Sequence, residues 1–197
     1  MDASLYRFVN RLADRTGFAH PLFVANARYG VAVFAVLLLA GWWSARRTRD
    51  RRAMAAVVWG GAGTLAALGA GQLIGHVVDR ARPYELMPAA HVLIDRTSDF
   101  SFPSDHATAV GAVAAALWLA NRRIGLVAGV LALAMAFSRV YVGAHYPGDV
   151  LGGLVLGAAM IGGLWPLAER LLRPVLGWVE RSLLAPLVSA RRTGPGA

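Results

Sequence analysis

Cysteine and lysine are both absent from this chain of 197 residues. The lack of cysteine excludes disulfides, thiolate nucleophiles and cysteine-ligated metal sites. All 20 basic residues are therefore arginine, which leaves no lysine to act as a base or as an amine nucleophile. Charge is scarce as well, because 16% of the residues are charged, whereas soluble domains have about 25%.

Long apolar runs take the place of the missing charge. Hydrophobic residues make up 57% of the chain, and about 20 of them in succession span a hydrocarbon core of ~30 Å as a helix. The runs predict five transmembrane helices at roughly 22–43, 54–77, 104–120, 124–142 and 147–165. Backbone polar groups must be satisfied internally in lipid, so the predicted fold is an all-α polytopic membrane bundle.

Two amphipathic segments flank these spans and predict interfacial helices. Residues 4–16, SLYRFVNRLADRT, have Leu5, Phe8, Val9 and Leu12 at helical spacing, with arginines between them. The tail, about residues 166–190, has a similar apolar face. We expect one membrane-embedded domain over residues 1–197.

Glycine pairs at i,i+4 spacing indicate where the helices pack closely. They are Gly71/Gly75, Gly125/Gly129 and Gly153/Gly157. Small residues at this spacing allow two helix backbones to approach each other in lipid.

The arginine positions predict the topology. The loop SARRTRDRR, residues 44–52, has five arginines and is expected in the cytoplasm. The tail agrees, with Arg170, Arg173, Arg181, Arg191 and Arg192, whereas Arg7, Arg11 and Arg15 near the N-terminus would then lie outside. The arginines fall between apolar runs and form no single face, so a bilayer explains them and a nucleic-acid partner does not. We expect an inner (plasma) membrane protein.

Counted from the arginine loop, one set of charged and polar residues falls together on the outer side. They lie near the ends of four predicted spans and in the long loop between the second and third spans. This set comprises Asp79, Arg80, Arg82, Glu85, Ser104, Asp105, His106, Ser138, Arg139, His145 and Asp149. Ionisable residues at membrane depth indicate a functional site.

These residue types suit phosphate chemistry. Arg82 and Arg139 present planar forks that match phosphate oxygens. Ser104 precedes a helical run as an N-cap, where free backbone N–H groups favour an anion. His145 and Asp149 are spaced i,i+4, so the carboxylate is expected to orient the imidazole if this turn is helical.

A second histidine, His106, completes the set needed for phosphoryl transfer without a metal. One imidazole attacks phosphorus and the other protonates the leaving oxygen. The alternative is a metal site built from the two histidines with Asp105 and Asp149, although no close-spaced motif such as H-E-x-x-H occurs.

These motifs resemble a known family. R-P at 82–83, P-S-D-H at 103–106 and S-R-x5-H-x3-D at 138–149 are similar to the three-part signature of the type 2 phosphatidic acid phosphatase superfamily, K-x6-R-P, P-S-G-H and S-R-x5-H-x3-D. The motif core covers residues 75–149. The P-S-D-H variant resembles the bacterial undecaprenyl-diphosphate phosphatase branch.

The resemblance implies a mechanism and a set of roles. His145 would be the nucleophile that forms a phosphohistidine, Asp149 would orient it, and His106 would be the general acid. Three further residues, Arg82, Ser104 and Arg139, would bind the phosphate. The reaction would need no cofactor or metal, and the substrate would be a lipid phosphate.

The chain departs from the signature at two positions. Gly75 stands in place of the lysine; of the nearby candidates, His76 and Arg80, we expect Arg80 to replace it because its charge does not depend on pH. Asp105 stands in place of the glycine. A carboxylate beside a phosphate site repels an anionic substrate unless it points away or pairs with an arginine, so Asp105 is a candidate modulator.

The leading prediction is hydrolysis of undecaprenyl diphosphate to the monophosphate on the outer face. Within enzymes, the alternative is a phosphatidic acid or phosphatidylglycerophosphate phosphatase. In another class, the missing lysine leaves open a catalytically inactive, lipid-binding family member. The oligomeric state stays open.

Overall fold

The structure, a computed structural model, describes residues 2–190. Helices are the only regular secondary structure in that range. A short 3-10 helix, Gly17–Ala19, follows the first α-helix. The α-helices are α1 (Asp2–Arg15), α2 (His20–Thr48), α3 (Arg51–Val78), α4 (Pro83–Leu86), α5 (Asp105–Ala120), α6 (Arg122–Tyr141), α7 (Pro147–Val179) and α8 (Ala185–Val188). Arg191 and Arg192 lie outside the described residues.

The five predicted spans correspond to α2, α3, α5, α6 and α7. Four of these are long and apolar enough to cross a membrane, whereas α5 has 16 residues. Sixteen residues rise only about 24 Å, so α5 is short for a hydrocarbon core of ~30 Å.

The short α5 is the central helix of the bundle. It packs against α2, α3, α6 and α7, and half of its residues are buried, most of them alanine, glycine, valine or threonine. Because four neighbouring helices pack against α5, its length need not match the bilayer.

Close approach of α5 and α7 depends on glycine. A Cβ built at Gly153 would lie 2.6 Å from the carbonyl oxygen of Ser104, and one at Gly157 would clash with the carbonyl oxygen of Thr108. The prediction from the Gly153/Gly157 pair is confirmed. The Gly125/Gly129 pair differs, since Gly125 lies against the backbone of Trp118 but Gly129 faces open space within the described chain.

The amphipathic helix α1 packs across the ends of α6 and α7. Tyr6 and Val9 are buried there, and Asn10 exchanges two hydrogen bonds with the backbone of His91. The predicted apolar face is therefore divided: Val9 packs against the bundle, while Leu5, Phe8 and Leu12 stay exposed. This leaves an apolar strip for the membrane surface.

At the other end, α7 continues past the predicted end of the fifth span at residue 165. It runs through Pro166 and Pro174 to Val179, although proline inside a helix removes a hydrogen bond. Side chains of Trp165, Ala168 and Leu176 pack into one cluster with the start of α3, which holds this part of the helix in place.

Candidate active site

A cavity of about 130 Å³ lies where the C-terminal ends of α3 and α6 meet the N-terminal ends of α5 and α7. It lies at the end of the bundle opposite the arginine loop, because that loop joins the C-terminal end of α2 to the N-terminal end of α3. Its polar lining residues are Gln72, Arg82, Thr97, Asp99, Asp105, His106, Arg139 and His145. Five of the eight predicted site residues line this cavity: Arg82, Asp105, His106, Arg139 and His145.

His145 is positioned by a backbone carbonyl. Its side chain is 2% exposed, and Nδ1 lies 2.9 Å from the carbonyl oxygen of Ser101. Because a carbonyl only accepts hydrogen bonds, Nδ1 carries the proton of the neutral ring. Nε2 is then unprotonated, and its lone pair accepts long hydrogen bonds from the two arginines. Nε2 lies 3.3 Å from Nη1 of Arg82 and 3.4 Å from Nη2 of Arg139.

The surroundings of His145 keep this imidazole neutral. Burial, followed by the charges of Arg139 and Arg82, lowers the pKa of His145 well below its ordinary value. A neutral imidazole between two guanidinium groups has the chemistry to attack a phosphoryl group, whose oxygens the two cations could bind.

The two arginines are held differently. Arg82 donates to the carbonyl oxygens of Asp99 and Ala144 and forms an ion pair with the Asp99 carboxylate at 3.0 Å. Burial acts to raise the pKa of Asp99, but hydrogen bonding from Thr97 and the charge of Arg82 outweigh it, and the net shift is downward. Apart from its contact with His145, Arg139 donates one long bond of 3.4 Å, to the carbonyl oxygen of Ala27.

Three buried side-chain atoms lack a hydrogen-bond partner within the described residues, and two of them lie at this end of the bundle, the third being Nε1 of Trp165. The two at this end are Oγ of Ser104 and Nε of Arg139. Ser104 is the N-cap residue of α5, as predicted, but its side chain makes no capping bond. Buried polar groups are normally satisfied, so unpaired donors beside a cavity indicate a place for an anion.

Asp149 is fully buried but does not make the hydrogen bond to His145 that the i,i+4 spacing had suggested. Its Oδ2 lies 3.9 Å from Nδ1 of His145, beyond hydrogen-bonding distance. It accepts instead from Oγ of Ser101 at 2.5 Å and from the N–H of Tyr146 at 2.9 Å. The carbonyl group of Ser101 therefore takes the place expected of the carboxylate, because the loop before α5 passes between the two side chains.

Arg80 is absent from the residues that line the cavity. Its Nη1 donates to Oδ1 of Asp149 and its Nη2 to Oδ2 of Asp2, both at 2.6 Å. Both terminal nitrogens are thus held by carboxylates, and the geometry does not support the prediction that Arg80 replaces the missing lysine. Gly75 itself does line the cavity, where a Cβ would lie 3.1 Å from the ring of Phe100.

Asp105 lies at the cavity wall and pairs with an amide. Its Oδ2 accepts a hydrogen bond of 2.8 Å from Nε2 of Gln72 on α3. Neither expected arrangement holds, since the carboxylate does not point away and its hydrogen-bond partner is not an arginine.

The sequence interpretation missed Ser101, Asp99, Gln72 and Asp2. Asp99 and Gln72 are polar residues near the predicted outer side, which is a weak signal. Ser101 contacts His145 through its carbonyl oxygen, which every residue has, and only its bond to Asp149 depends on the serine hydroxyl.

Comparison with known proteins places this geometry in a family. A sequence model of the PAP2 superfamily matches residues 56–173. Undecaprenyl-diphosphatase BcrC of Bacillus subtilis (strain 168) is 34% identical over 92% of this chain and 91% of its own length. Decaprenylphosphoryl-5-phosphoribose phosphatase of Mycobacterium tuberculosis (strain H37Rv) is 46% identical over 51% of this chain and 54% of its own.

A solved structure supports the same fold. The crystal structure of a transmembrane PAP2-type phosphatidylglycerolphosphate phosphatase from Bacillus subtilis superposes with a TM-score of 0.54. It covers 86% of this chain and 85% of its own, at 20% identity. Three findings agree on the family: the match to the family model, the relative that aligns along nearly the whole chain, and the shared helical architecture. The chain belongs to the PAP2 superfamily, as a multi-pass membrane phosphatase.

Proposed function

We propose that this enzyme hydrolyses the terminal phosphate of a polyprenyl diphosphate, undecaprenyl diphosphate in the first instance, through a phosphohistidine at His145 and without a metal ion. The observation that carries this proposal is the placement of Nε2 of His145. It is unprotonated in the neutral ring and lies within 3.4 Å of Nη atoms of two arginines.

In the first step, Nε2 of His145 attacks the terminal phosphorus. The bond from phosphorus to the bridging oxygen breaks, and His106, at the first turn of α5, gives its proton to that oxygen. Arg82 and Arg139 stabilise the charge that develops on the equatorial oxygens. The unpaired hydroxyl of Ser104 donates to one of them.

In the second step, water attacks the phosphohistidine. His106, now neutral, accepts the proton of that water, and the phosphorus–nitrogen bond breaks. Inorganic phosphate leaves, and both histidines return to their starting protonation states. Every group in this cycle belongs to a single membrane domain.

The choice of substrate rests on the relatives. BcrC, which carries the name undecaprenyl-diphosphatase, aligns with 92% of this chain. The name of the mycobacterial relative, decaprenylphosphoryl-5-phosphoribose phosphatase, also refers to a polyprenyl compound. A polyprenyl-linked phosphomonoester is therefore the second candidate. The phosphatidylglycerolphosphate phosphatase supports the fold alone, at 20% identity.

The site is proposed to face the outside of the plasma membrane. The loop at residues 44–52 lies at the opposite end of the bundle, and arginine-rich loops stay in the cytoplasm. Hydrolysis would then act on lipids of the outer leaflet.

The decisive experiment compares phosphate release from four lipids by the purified enzyme in detergent. They are undecaprenyl diphosphate, a decaprenyl phosphosugar carrying a terminal phosphate, phosphatidic acid and phosphatidylglycerophosphate. We expect the diphosphate to have the highest kcat/KM, because the proposed leaving group is a phosphate and not an alkoxide. Preference for a glycerolipid would contradict the substrate, and release from none of the four would indicate an inactive member.

Two controls test the chemistry. His145→Ala should abolish release and the acid-labile phosphoenzyme, whereas His91→Gln, a histidine outside the cavity, should retain both. Chelation by EDTA should leave the rate unchanged. Loss of activity in EDTA that a divalent ion restores would revive the metal alternative.

A further inference from the structure

A continuous chain of polar contacts links α1 to the proposed nucleophile. Oδ2 of Asp2 accepts from Nη2 of Arg80 at 2.6 Å, and Nη1 of Arg80 donates to Oδ1 of Asp149 at 2.6 Å. Oδ2 of Asp149 accepts from Oγ of Ser101 at 2.5 Å, and the carbonyl oxygen of Ser101 accepts from Nδ1 of His145 at 2.9 Å. Residues more than 140 positions apart in the chain thus meet in one network.

The orientation of Arg80 is fixed on three sides. Its two terminal nitrogens are held by the carboxylates, and its guanidinium lies over the ring of Tyr146 with a separation of 4.2 Å. A planar guanidinium held in this way has little freedom to turn toward the cavity. Arg80 therefore serves Asp149 and not the substrate.

Asp2 makes a second contact that ties α1 to α7. Its Oδ1 accepts from the N–H of Gly148 at 2.9 Å, in the first turn of α7. The first N–H groups of a helix have no partner within it, and a carboxylate there is favourable. The first residue of α1 described in the structure thus completes the end of the helix that carries Asp149.

Asp149 needs this support because it is fully buried. A carboxylate taken out of water is costly unless its charge is paired and its oxygens accept hydrogen bonds. Arg80 is the cation that lies against it. If Arg80 is lost, the carboxylate must shift or take up a proton, and either change disturbs Ser101, whose carbonyl oxygen holds His145.

We propose that Asp2 and Arg80 are positioning residues, and that the interfacial helix α1 is thereby part of the active-site scaffold. Arg80 holds the Asp149 carboxylate, and Asp2 holds Arg80 and the start of α7. This inference rests on the proposed role of His145 and assigns Arg80 a function other than phosphate binding.

The test separates positioning from substrate contact by kinetics. Arg80→Gln and Asp2→Asn, made in the full chain, should lower kcat on the order of tenfold to a hundredfold, since small displacements of a reacting group cost that much. KM should stay within about twofold, because no contact to the substrate is removed. Arg80→Lys should recover part of kcat by restoring the cation, and the double variant should be no worse than Arg80→Gln alone.

Ligand binding supplies a readout that does not need turnover. Vanadate takes up five-coordinate geometry only when Nε2 of His145 is aligned with it, whereas inorganic phosphate needs only the arginines. Arg80→Gln should therefore reduce the thermal stabilisation by vanadate and leave that by phosphate unchanged. A phosphate effect that falls equally would show that Arg80 contacts the anion and would overturn the proposal.

The matched control is the exposed ion pair of Arg28 and Asp95, 3.1 Å apart at the same end of the bundle. Arg28→Gln and Asp95→Asn should keep kcat and both ligand shifts within about twofold of the wild type. Losses as large as those of Arg80→Gln, or additive effects of Asp2→Asn and Arg80→Gln, would refute the positioning role. If the wild type releases no phosphate from any lipid, the proposed function fails, and the vanadate shifts still decide this inference.

Discussion

At the scale of single residues, the state of His145 follows from its neighbours. The carbonyl oxygen of Ser101 places the proton on Nδ1, and the two arginines disfavour a second proton on Nε2. The same arginines are the proposed phosphate ligands. One pair of cations thus keeps the imidazole neutral before the substrate binds and stabilises the phosphoryl oxygens afterwards.

This arrangement predicts the pH dependence of phosphoenzyme formation. Protonation blocks Nε2, and because the pKa of His145 is lowered, the neutral form persists as the pH falls below the usual histidine value of about 6.5. The acid limb of the single-turnover rate, measured by rapid quench, should therefore lie well below pH 6.5. An acid limb centred near pH 6.5 would contradict the prediction.

Arg139→Gln tests the direction in which the acid limb of this pH profile moves. Its charge is one cause of the lowered pKa of His145, so its removal should move the acid limb to higher pH as well as reduce the rate. Arg28→Gln, which alters an exposed arginine at the same end of the bundle, should leave the position of the limb unchanged.

At the scale of elements, the site depends on how closely α7 lies against α5. These two helices carry Ser104 as N-cap, His106 and Asp149 in their first turns. Gly153 and Gly157 allow the backbones to approach until a Cβ would meet a carbonyl oxygen of the neighbouring helix. The separation of the first turns is therefore set by two residues that lack a side chain.

Gly157→Ala should consequently destabilise the bundle. The added methyl group would clash with the carbonyl oxygen of Thr108, and overpacking of this kind costs about 1–3 kcal/mol. Thermal unfolding in detergent should show a lower Tm. The matched control is Gly162→Ala on the same helix, where a Cβ meets no atom of the described chain within 4 Å.

That control should be neutral or slightly stabilising, since alanine favours a helix over glycine by up to about 1 kcal/mol. Equal Tm values for the two variants would show that the α5–α7 contact is looser than the structure has it.

At the scale of the whole molecule, the two ends of the bundle differ in charge. The end without the site carries the arginine loop, where Arg51 pairs with Glu180, and Arg52 with Glu169 at 3.4 Å. The other end carries the cavity and α1. Helix α1 brings Arg7, Arg11 and Arg15 to the same end as the site. The exposed apolar strip of α1 explains these arginines by an interfacial position, so the site is still expected outside.

Cysteine labelling tests this orientation without removal of native thiols, since the chain has no cysteine. Ser98→Cys lies in the exposed loop beside the cavity, and Thr48→Cys is exposed at the arginine loop. A maleimide that does not cross membranes should label Ser98→Cys in intact cells and Thr48→Cys only after permeabilisation. The reverse pattern would place the site in the cytoplasm.

The sequence by itself determined the fold class and part of the composition of the site. Apolar runs of membrane-spanning length, interrupted by arginine loops, leave few alternatives to a helical bundle, because the bilayer requires each span to satisfy its own backbone. Counting the spans also brought Arg82, His106, Arg139 and His145 to one layer. The structure places all four around one cavity.

The tertiary structure alone decided what holds these residues in place. Spacing suggested that Asp149 orients His145, and the missing signature lysine suggested that Arg80 faces the phosphate. Instead, Asp149 bonds to Ser101, and Arg80 bonds to Asp149 and Asp2. The physical reason is that these contacts join a backbone carbonyl, a loop and the first turn of a distant helix. Periodicity describes neighbours within one helix, whereas the meeting of Asp2 with Arg80 depends on how separate helices pack.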